Sequence, residues 1–406
     1  MTEWPNVPLH AILSRAHEWI DLAPDAQYRR VTIRLHGRGV VQRDVVSGGA
    51  MAGQKRLMIR SGQLILSKID ARNGAIGIVP ADLDGAIVSS DFPTFSVDRS
   101  QVDPTYLGWM CRTRTLVAMC RAASEGTTNR VRLKEDRFLN MRIPLPPLAE
   151  QLRIVAHIDA VAARVQAAQR LRQAIEIEQF DFLVGVYRNI TTAAPRFRMD
   201  RVAPLTRRPV SIDPSTMYHE LGVRSFGKGT FHKPAISGAD LAAKKVYWLK
   251  PGDLVFNIVF AWERAVAVVQ QRDDGRIGSH RFLACVPRSG IATAGFLWLH
   301  FMTAEGLEQL GEASPGGAGR NRTLGLEALA RIEVPIPPYG DQLRVDDLLS
   351  RVTALKQTTA GIDTELAALV PAVLESEFGG DLRAQHRDID ARQSLSTHRT
   401  LREAGS

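Results

Sequence analysis

The sequence predicts an α+β fold in which one domain occurs twice and each copy is followed by a long helix. Two observations carry this prediction. The chain of 406 residues repeats itself at an offset near 190, and each copy ends in a proline-rich motif that precedes a long stretch with helical apolar spacing. Such a period far exceeds the roughly 20 to 50 residues of solenoid repeats, so each copy is a self-contained domain with its connector and the molecule has pseudo-twofold character.

The repeat appears when residues 28–64 are laid over residues 218–254 without gaps, which gives 10 identities in 37 positions. The register holds as far as IPLPP at 143–147 and VPIPP at 334–338, where the offset is 191. Small insertions in the Gly-rich stretch 314–319 account for the drift. The predicted boundaries are a first domain at 1–148, a central helical spacer at 149–190, a second domain at 191–339, a distal helical spacer at 340–378 and a mobile tail at 379–406.

Within each copy the structural signals come in the same order. A Gly-punctuated basic segment, IRLHGRG in the first copy and VRSFGKG in the second, predicts a loop. Two short β-rich runs follow, and then a helical stretch at 104–123 or 293–311. Strands and helices therefore share each domain.

Both connectors have the alternating spacing of three and four that is typical of a coiled-coil seam. The predicted helices, 150–186 and 341–370, would be about 55 Å and 45 Å long and could pair as a spacer. The alternative is that each amphipathic helix packs onto its own domain core. The predicted interface positions are Ile154, Ile158, Val161, Val165, Val345, Leu348, Val352, Leu355, Ile362 and Leu366.

The composition favours a polyanionic partner. There are 52 Lys and Arg residues against 43 Asp and Glu, a formal net charge of +9, and the pI is near 9.7. No apolar run is long enough to span a membrane and no signal peptide is visible, so we expect a cytoplasmic protein. Three cysteines without a CxxC pair indicate reduced thiols rather than disulfides or a metal site.

Two segments resemble a known family. IPLPPLAEQLRIV at 143–155 and SKIDARNGAIGIVP at 67–80 are similar to regions of the specificity subunits of type I restriction-modification systems. GVRSFGKGTFH at 222–232 is similar to a segment near the front of their target-recognition domains. The resemblance covers roughly residues 1–378. The second copy departs from it, because PYGDQ replaces PLAEQ and the counterparts of Lys68 and Arg72 are missing.

The resemblance implies a non-catalytic subunit with two target-recognition domains, each reading one half of a bipartite, asymmetric site on double-stranded DNA. Antiparallel helices would hold the domains apart and dock two methyltransferase subunits, with restriction-translocase subunits as further partners. The chain would need no cofactor of its own, whereas the methyltransferase would use S-adenosylmethionine and the restriction subunit ATP and Mg. The alternatives are a DNA-binding subunit of another methyltransferase-based restriction or phage-defence complex, or a non-modifying scaffold.

Most candidate DNA-binding residues are cations and amides at matching positions of the two copies, and Lys68, Arg72 and Asn73 are added because they follow a strand and precede Gly74. Lys and Arg neutralise phosphates, while Arg and Asn side chains can also read base edges in the major groove. Scattered surface charge is the alternative interpretation. The candidates are Arg34, Arg38, Lys55, Lys68, Arg72, Asn73, Asn129, Arg130, Arg224, Lys228, Lys245, Arg320, Asn321 and Arg322.

No catalytic or metal-binding set stands out in the sequence. Residues 222–229 nearly spell a phosphate-binding P-loop, but Gly229 replaces its Mg²⁺-binding Ser or Thr. IPPY at 336–339 lacks the amide of an amino-methyltransferase loop. We therefore predict that the chain recognises DNA and performs no chemistry.

Overall fold

The computed structural model describes residues 4–125, 131–241, 244–316 and 322–403, with side chains described as far as 379. It divides into two compact units, one formed by residues 1–170 and 362–406 and the other by residues 171–361. Each unit contains one copy of the repeated domain together with part of each of two long helices. The division therefore cuts both helices, whereas the sequence predicted separate spacer segments; the predicted domain limits stay a prediction.

The first domain is built from short strands, three short helices and 3₁₀ turns. Its strands are β1 (Asn6–Pro8), β2 (Leu13–Arg15), β3 (Trp19–Asp21), β4 (Gln27–Ile33), β5 (Val40–Ser47), β6 (Lys55–Met58), β7 (Leu64–Leu66), β8 (Ile76–Ile78), β9 (Ile87–Val88), β10 (Thr94–Val97), β11 (Ser124–Glu125), β12 (Arg132–Leu133) and β13 (Arg142–Pro144). Its helices are α1 (Pro104–Met110), α2 (Arg114–Ala122) and α3 (Glu135–Leu139), and its 3₁₀ turns are Leu9–Ala11, Gly48–Ala50, Ala71–Asn73 and Ala81–Leu83.

Two sheets form the framework of this domain. One has the strand order β3-β6-β9-β4-β5 and the other β2-β10-β7-β8, while β1 pairs with β13 and β11 with β12. A main core packs α1, α2 and the second sheet around Phe95, Tyr106 and Phe138, all fully buried. A smaller core lies against the five-stranded sheet and includes Val31 and Ile65.

The first long helix, α4 (Leu148–Thr191), leads into a second domain in which the main strands and helices follow the same order. Its strands are β14 (Arg196–Arg198), β15 (Met217–Val223), β16 (Thr230–Ser237), β17 (Val246–Leu249), β18 (Leu254–Asn257), β19 (Val266–Val268), β20 (Arg276–Ser279), β21 (Phe282–Cys285) and β22 (Glu333–Pro335). Its helices are α5 (Met199–Val202), α6 (Gly238–Leu241), α7 (Ala294–Met302), α8 (Ala304–Glu312) and α9 (Leu326–Arg331), with 3₁₀ turns at Ala261–Glu263 and Gln271–Asp273.

The two domains share strand register as well as element order. The parallel pair Arg30 and Ile87 in the first domain corresponds to Glu220 and Ile277 in the second, both at the offset of 190. Even the first domain's pairing of β3 with β6 has a counterpart, reduced to an isolated bridge between Pro209 and Tyr247. A proline offers no N–H for a longer ladder. The predicted duplication of an α+β domain is confirmed.

The single helical stretch predicted in each domain is wrong in detail, because it is two helices. The break falls at Thr113 in the first domain and at Thr303 in the second, and each hydroxyl accepts a backbone N–H of the following helix. Threonine satisfies the unpaired N–H groups of a new helix start, so apolar periodicity alone does not reveal the break.

The second long helix, α10 (Tyr339–Glu403), is longer than predicted. The sequence predicts a mobile tail from residue 379, and α10 continues as helix through that region to Glu403. Few apolar residues occur there, and helix formation requires backbone hydrogen bonds and suitable propensity rather than burial. Mobility of this segment stays a prediction.

The long helices attach to the domains through their ends rather than through a continuous seam. Ile154 and Ile158 of α4 are fully buried in the first domain's main core, and Val345 of α10 is fully buried in the second domain's core. Leu355 and Ile362, by contrast, are 55% and 42% exposed. The prediction that these five positions form one buried seam is therefore wrong, and the alternative of packing onto domain cores accounts for the helix ends.

Each unit nevertheless pairs opposite parts of the two helices. In the first unit, Glu377 of α10 contacts His157 and Arg153 of α4. In the second unit, the Arg172 guanidinium of α4 donates to the carbonyl of Thr359 in α10 at 3.1 Å. Early α4 thus meets late α10, and late α4 meets early α10, which is antiparallel pairing.

The three cysteines are buried free thiols. Burial raises the pKa of Cys120 and of Cys285 to about 12, so both are uncharged and unreactive at neutral pH. Within the described ranges, no helix is long and apolar enough to cross a bilayer, and no cluster of His, Cys, Asp or Glu has the makings of a metal site.

Candidate nucleic-acid interface

A tight turn at the end of the longest hairpin brings the basic segments to one edge of each domain. In the first domain, the N–H of Arg34 donates to the carbonyl of Gly39 at 2.9 Å, which closes the loop between β4 and β5. In the second domain, the N–H of Arg224 donates to the carbonyl of Gly229 at 3.0 Å, which closes the loop between β15 and β16. We call residues 34–39 and 224–229 the hairpin turns.

The hairpin turns are held in place by backbone hydrogen bonds to a neighbouring 3₁₀ turn. In the first domain the N–H groups of His36 and Gly37 donate to the carbonyls of Asn73 and Gly74, at 2.8 and 2.9 Å. In the second, Phe226 and Gly227 donate to Glu263 and Arg264 at 2.7 and 2.9 Å. These main-chain bonds do not depend on which side chains the turns carry, and in the second domain the Ser225 hydroxyl also donates to a carboxylate oxygen of Glu263 at 3.0 Å.

Four of the predicted residues of the first domain therefore lie near one another. Arg34 and Arg38 are in the hairpin turn and exposed, and Arg72 and Asn73 are in the 3₁₀ turn bonded to it. Among the residues that the structure describes, Arg34 and Arg38 have no acidic partner within ion-pair distance. Cations without counterions are available to neutralise phosphates.

Lys55 lies at the same end of the five-stranded sheet, as its register shows. Ile87 of β9 pairs with Arg30 in the parallel sense and with Met58 in the antiparallel sense. The start of β6 therefore lies level with the end of β4, where the hairpin turn begins. Lys55 is 3.9 Å from Asp21, and both side chains are at least 70% exposed, so this ion pair contributes little.

The second domain repeats the arrangement with different side chains. Arg224 and Lys228 occupy its hairpin turn, and Arg322 lies 5.6 Å from the ring of Trp262 in the adjoining 3₁₀ turn. Lys245 precedes β17, which pairs with β20 at the turn end of the sheet. The Arg224 guanidinium also stacks 4.8 Å from the Phe231 ring, which fixes its position without neutralising it.

The remaining predicted residues are not part of this edge or cannot be placed. The Lys68 ammonium is 2.8 Å from a carboxylate oxygen of Glu135 and is largely covered. It is bound within the domain, so the prediction that it contacts DNA is not supported by its position. Asn129, Arg130, Arg320 and Asn321 lie outside the described residues.

Sequence reasoning missed two arginines beside the first hairpin turn. His36 and Arg38 line an open groove of about 980 Å³ together with Arg112 and Arg114. The Arg112 guanidinium lies 4.4 Å above the Trp109 ring, and burial lowers the pKa of this group. These arginines are more than 70 residues from the basic segment in the sequence. Only the fold brings them together with it, so no local pattern predicts the groove.

Comparison with known proteins gives structural likeness and no sequence match. No protein-family model and no curated protein matches the chain. A chain from a study of complex assembly and conformational transition of the type I R-M system is 24% identical, with a TM-score of 0.62 over 94% of this chain and 99% of that one. The chain has that fold.

Two further solved structures resemble the chain more loosely. The HsdS subunit from Thermoanaerobacter tengcongensis is 23% identical over 94% of this chain and 98% of that one, with a TM-score of 0.48. The S subunit of a type-I restriction-modification system from M. genitalium is 10% identical over 92% and 96%, with a TM-score of 0.44. The fold shared with the 24% identical chain covers 94% of this chain, which includes both domains.

Proposed function

We propose that the chain is a DNA-specificity subunit of a type I restriction-modification complex and recognises a bipartite, asymmetric site on double-stranded DNA. The observation that carries the proposal is the repeated basic edge. Both domains place cations that have no acidic partner among the described residues on a hairpin turn fixed by the same backbone hydrogen bonds. The type I R-M fold supports the same proposal.

The two edges combine a shared feature with a variable one, as two readers of unlike half-sites require. Cations recur at the positions of Arg34 and Arg224 and of Arg38 and Lys228, which suits phosphate contacts common to any sequence. The neighbouring 3₁₀ turns differ, with Arg72 and Asn73 in one and Trp262 and Glu263 in the other. Different base readout in the two half-sites follows from these differences.

Methyl transfer and DNA cleavage belong, in this proposal, to partner subunits of a cytoplasmic complex. The methyltransferase subunits would bring S-adenosylmethionine, and the restriction subunits ATP and Mg. The middle portions of the long helices are suited to partner docking, because they expose large apolar side chains. These are Leu171, Ile175, Ile177, Phe182, Leu355 and Ile362.

The decisive experiment is to purify the chain with the methyltransferase encoded beside it and to map methylated adenines across a genome by single-molecule sequencing. We expect a split motif with a fixed gap of unspecified bases. A continuous motif would indicate another methyltransferase-based complex, and the absence of methylation would indicate a non-modifying adaptor or scaffold.

Salt titration separates a DNA reader from a scaffold. A reader that neutralises several phosphates should lose affinity steeply and linearly in a plot of log affinity against log salt. Replacing Arg34 and Arg38 together by Ala should reduce that slope by roughly two, since each phosphate contact contributes about 0.9. Replacing Lys68 by Ala is the matched control and should leave the slope unchanged.

A further inference from the structure

The residue at the apex of each hairpin turn has a backbone conformation that is unfavourable for its side chain. His36 and Phe226 both have φ of 61°, and the glycines that follow have φ of 65° and 64°. Two successive residues with positive φ are the pattern of a type I′ turn, in which Asn, Asp or Gly is preferred at the first position. A ring at that position costs stability and takes no part in the backbone hydrogen bonds of the turn.

Both apex side chains lie at the surface of their domains. The Phe226 side chain is 66% exposed, and His36 is exposed as well. The Lys228 ammonium lies 5.8 Å from the centroid of the Phe226 ring. Each apex residue is bound to the neighbouring 3₁₀ turn through its backbone N–H, which any residue except proline would supply equally well.

From this combination we infer that His36 and Phe226 are the base-reading residues of the hairpin turns, each contacting base edges in the major groove of its own half-site. The inference deepens the proposed function and rests on it. Strained residues are maintained where surrounding structure holds them for a purpose. Here the same strained backbone is retained in both domains while the side chain it presents has changed.

The two side chains differ in chemistry, so we expect them to contact different groups on the DNA bases. Phe226 has no hydrogen-bonding group and suits the C5-methyl group of thymine, which is the apolar feature of the major groove. An imidazole ring nitrogen of His36 can donate to an acceptor such as guanine N7 or O6. The flanking cations, Arg34 and Arg38 or Arg224 and Lys228, would meanwhile bind the adjacent phosphates.

The test exchanges the two apex residues in the full chain, assayed with its methyltransferase on duplexes carrying the mapped motif. Phe226→His and His36→Phe each install a residue that the other domain already holds on the same backbone. We expect each variant to lose discrimination at one or two base positions in a single half-site, with about 10-fold weaker binding of the original sequence. Discrimination elsewhere should be retained.

A glycine variant separates reading from turn formation. Phe226→Gly should raise the thermal midpoint, because glycine adopts positive φ without strain, and should still weaken binding about 10-fold. Met217→Ala is the matched control, since Met217 is 55% exposed at the opposite end of β15 and should affect neither quantity.

Two results are distinguishable. If the wild-type complex yields no split motif, the proposed function fails. If it yields one and all three apex variants keep the wild-type base preferences and bind within twofold of wild type, the inference about His36 and Phe226 is overturned while the proposed function stands.

Discussion

Arg264 shows how one residue can carry a conformational cost that its counterpart avoids. It has φ of 58°, at the position where the first domain has Gly74, whose φ is 80°. Its buried Nε also lacks a hydrogen-bond partner among the described residues. Both features disfavour the native state, and both would disappear with glycine.

We therefore predict that Arg264→Gly stabilises the protein by about 1 kcal/mol, the usual cost of a left-handed non-glycine residue. Denaturant unfolding measures the change. The mirror substitution Gly74→Ala is the control and should destabilise by a similar amount, because its Cβ would lie 3.0 Å from the Cα of His36. A loss of stability in Arg264→Gly would show that the arginine side chain contributes more than the strain costs.

His300 predicts a pH dependence of stability. It is fully buried, lies 2.6 Å from the Tyr187 hydroxyl and 2.8 Å from Oε1 of Gln309. Burial lowers the pKa of this imidazole below its ordinary 6.5. Below about pH 6.5 the unfolded chain therefore binds a proton that the folded chain does not, and stability falls as the pH drops.

Urea unfolding at pH 5 and pH 7.5 tests this prediction. The wild-type protein should lose more stability between the two values than His300→Gln, which has no titrating group at this position. Equal losses in the two proteins would mean that other groups control the response to acid.

At the scale of elements, the joint between each domain and its long helix depends on one buried glutamine. The Gln151 side chain accepts the N–H of Asp103 at 2.9 Å and donates to the carbonyls of Gln101 and Pro146 at 2.9 and 2.8 Å. Gln342 makes the same three contacts in the second domain, with Thr293, Ile291 and Pro337. Each glutamine ties a helix start to the start of a domain helix.

We predict that Gln151→Ala destabilises the protein by about 3 kcal/mol, because it leaves buried backbone groups without partners. Thermal or denaturant unfolding measures the loss, and Gln342→Ala should behave alike in the second unit. The adjacent Leu152→Ala, at a side chain 55% exposed, should change stability by less than about 0.5 kcal/mol. Similar effects at 151 and 152 would contradict the role of the glutamine.

The exposed middle of α10 leads to a different expectation for Leu355. The apolar spacing alone predicts a buried seam, in which Leu355→Asp would be costly. Because the side chain is 55% exposed, we instead expect unchanged thermal stability and weaker binding of the methyltransferase subunits. Val345→Asp, at a fully buried position, is the contrasting variant and should unfold its unit.

How well an element can be predicted from the sequence depends on whether the interactions that form it are between residues near or far apart in the chain. The duplication, the strands around residues 64 and 76 and the long helices follow from local patterns and register. The partner of Lys68 and the groove arginines Arg112 and Arg114 depend on contacts distant in sequence, whereas the breaks at Thr113 and Thr303 are local N-caps that apolar periodicity does not reveal. The strained apex residues could not be predicted for another reason. His-Gly and Phe-Gly are unusual dipeptides for a type I′ turn, in which Asn-Gly, Asp-Gly or Gly-Gly is preferred.

At the scale of the whole molecule, the proposed function makes DNA binding depend on the separation of the half-sites. Two linked readers gain affinity from the second half-site only when both can engage at once, and the gain is typically 10²- to 10⁴-fold. One turn of DNA spans about 34 to 36 Å, so five extra base pairs rotate the second half-site by about half a turn, to the far face of the duplex.

We predict that the complex binds a duplex with five inserted base pairs no more tightly than a duplex in which one half-site is scrambled. Equilibrium binding of the two duplexes at one salt concentration makes the comparison, and the scrambled duplex supplies the affinity of a single reader. An insertion of ten base pairs returns the second half-site to the same face of the duplex but lengthens the distance between the half-sites. If the long helices fix the separation of the domains, the complex should also bind this duplex weakly. Equal affinity at every spacing would mean that the two domains read DNA independently, and the long helices would then serve partner docking alone.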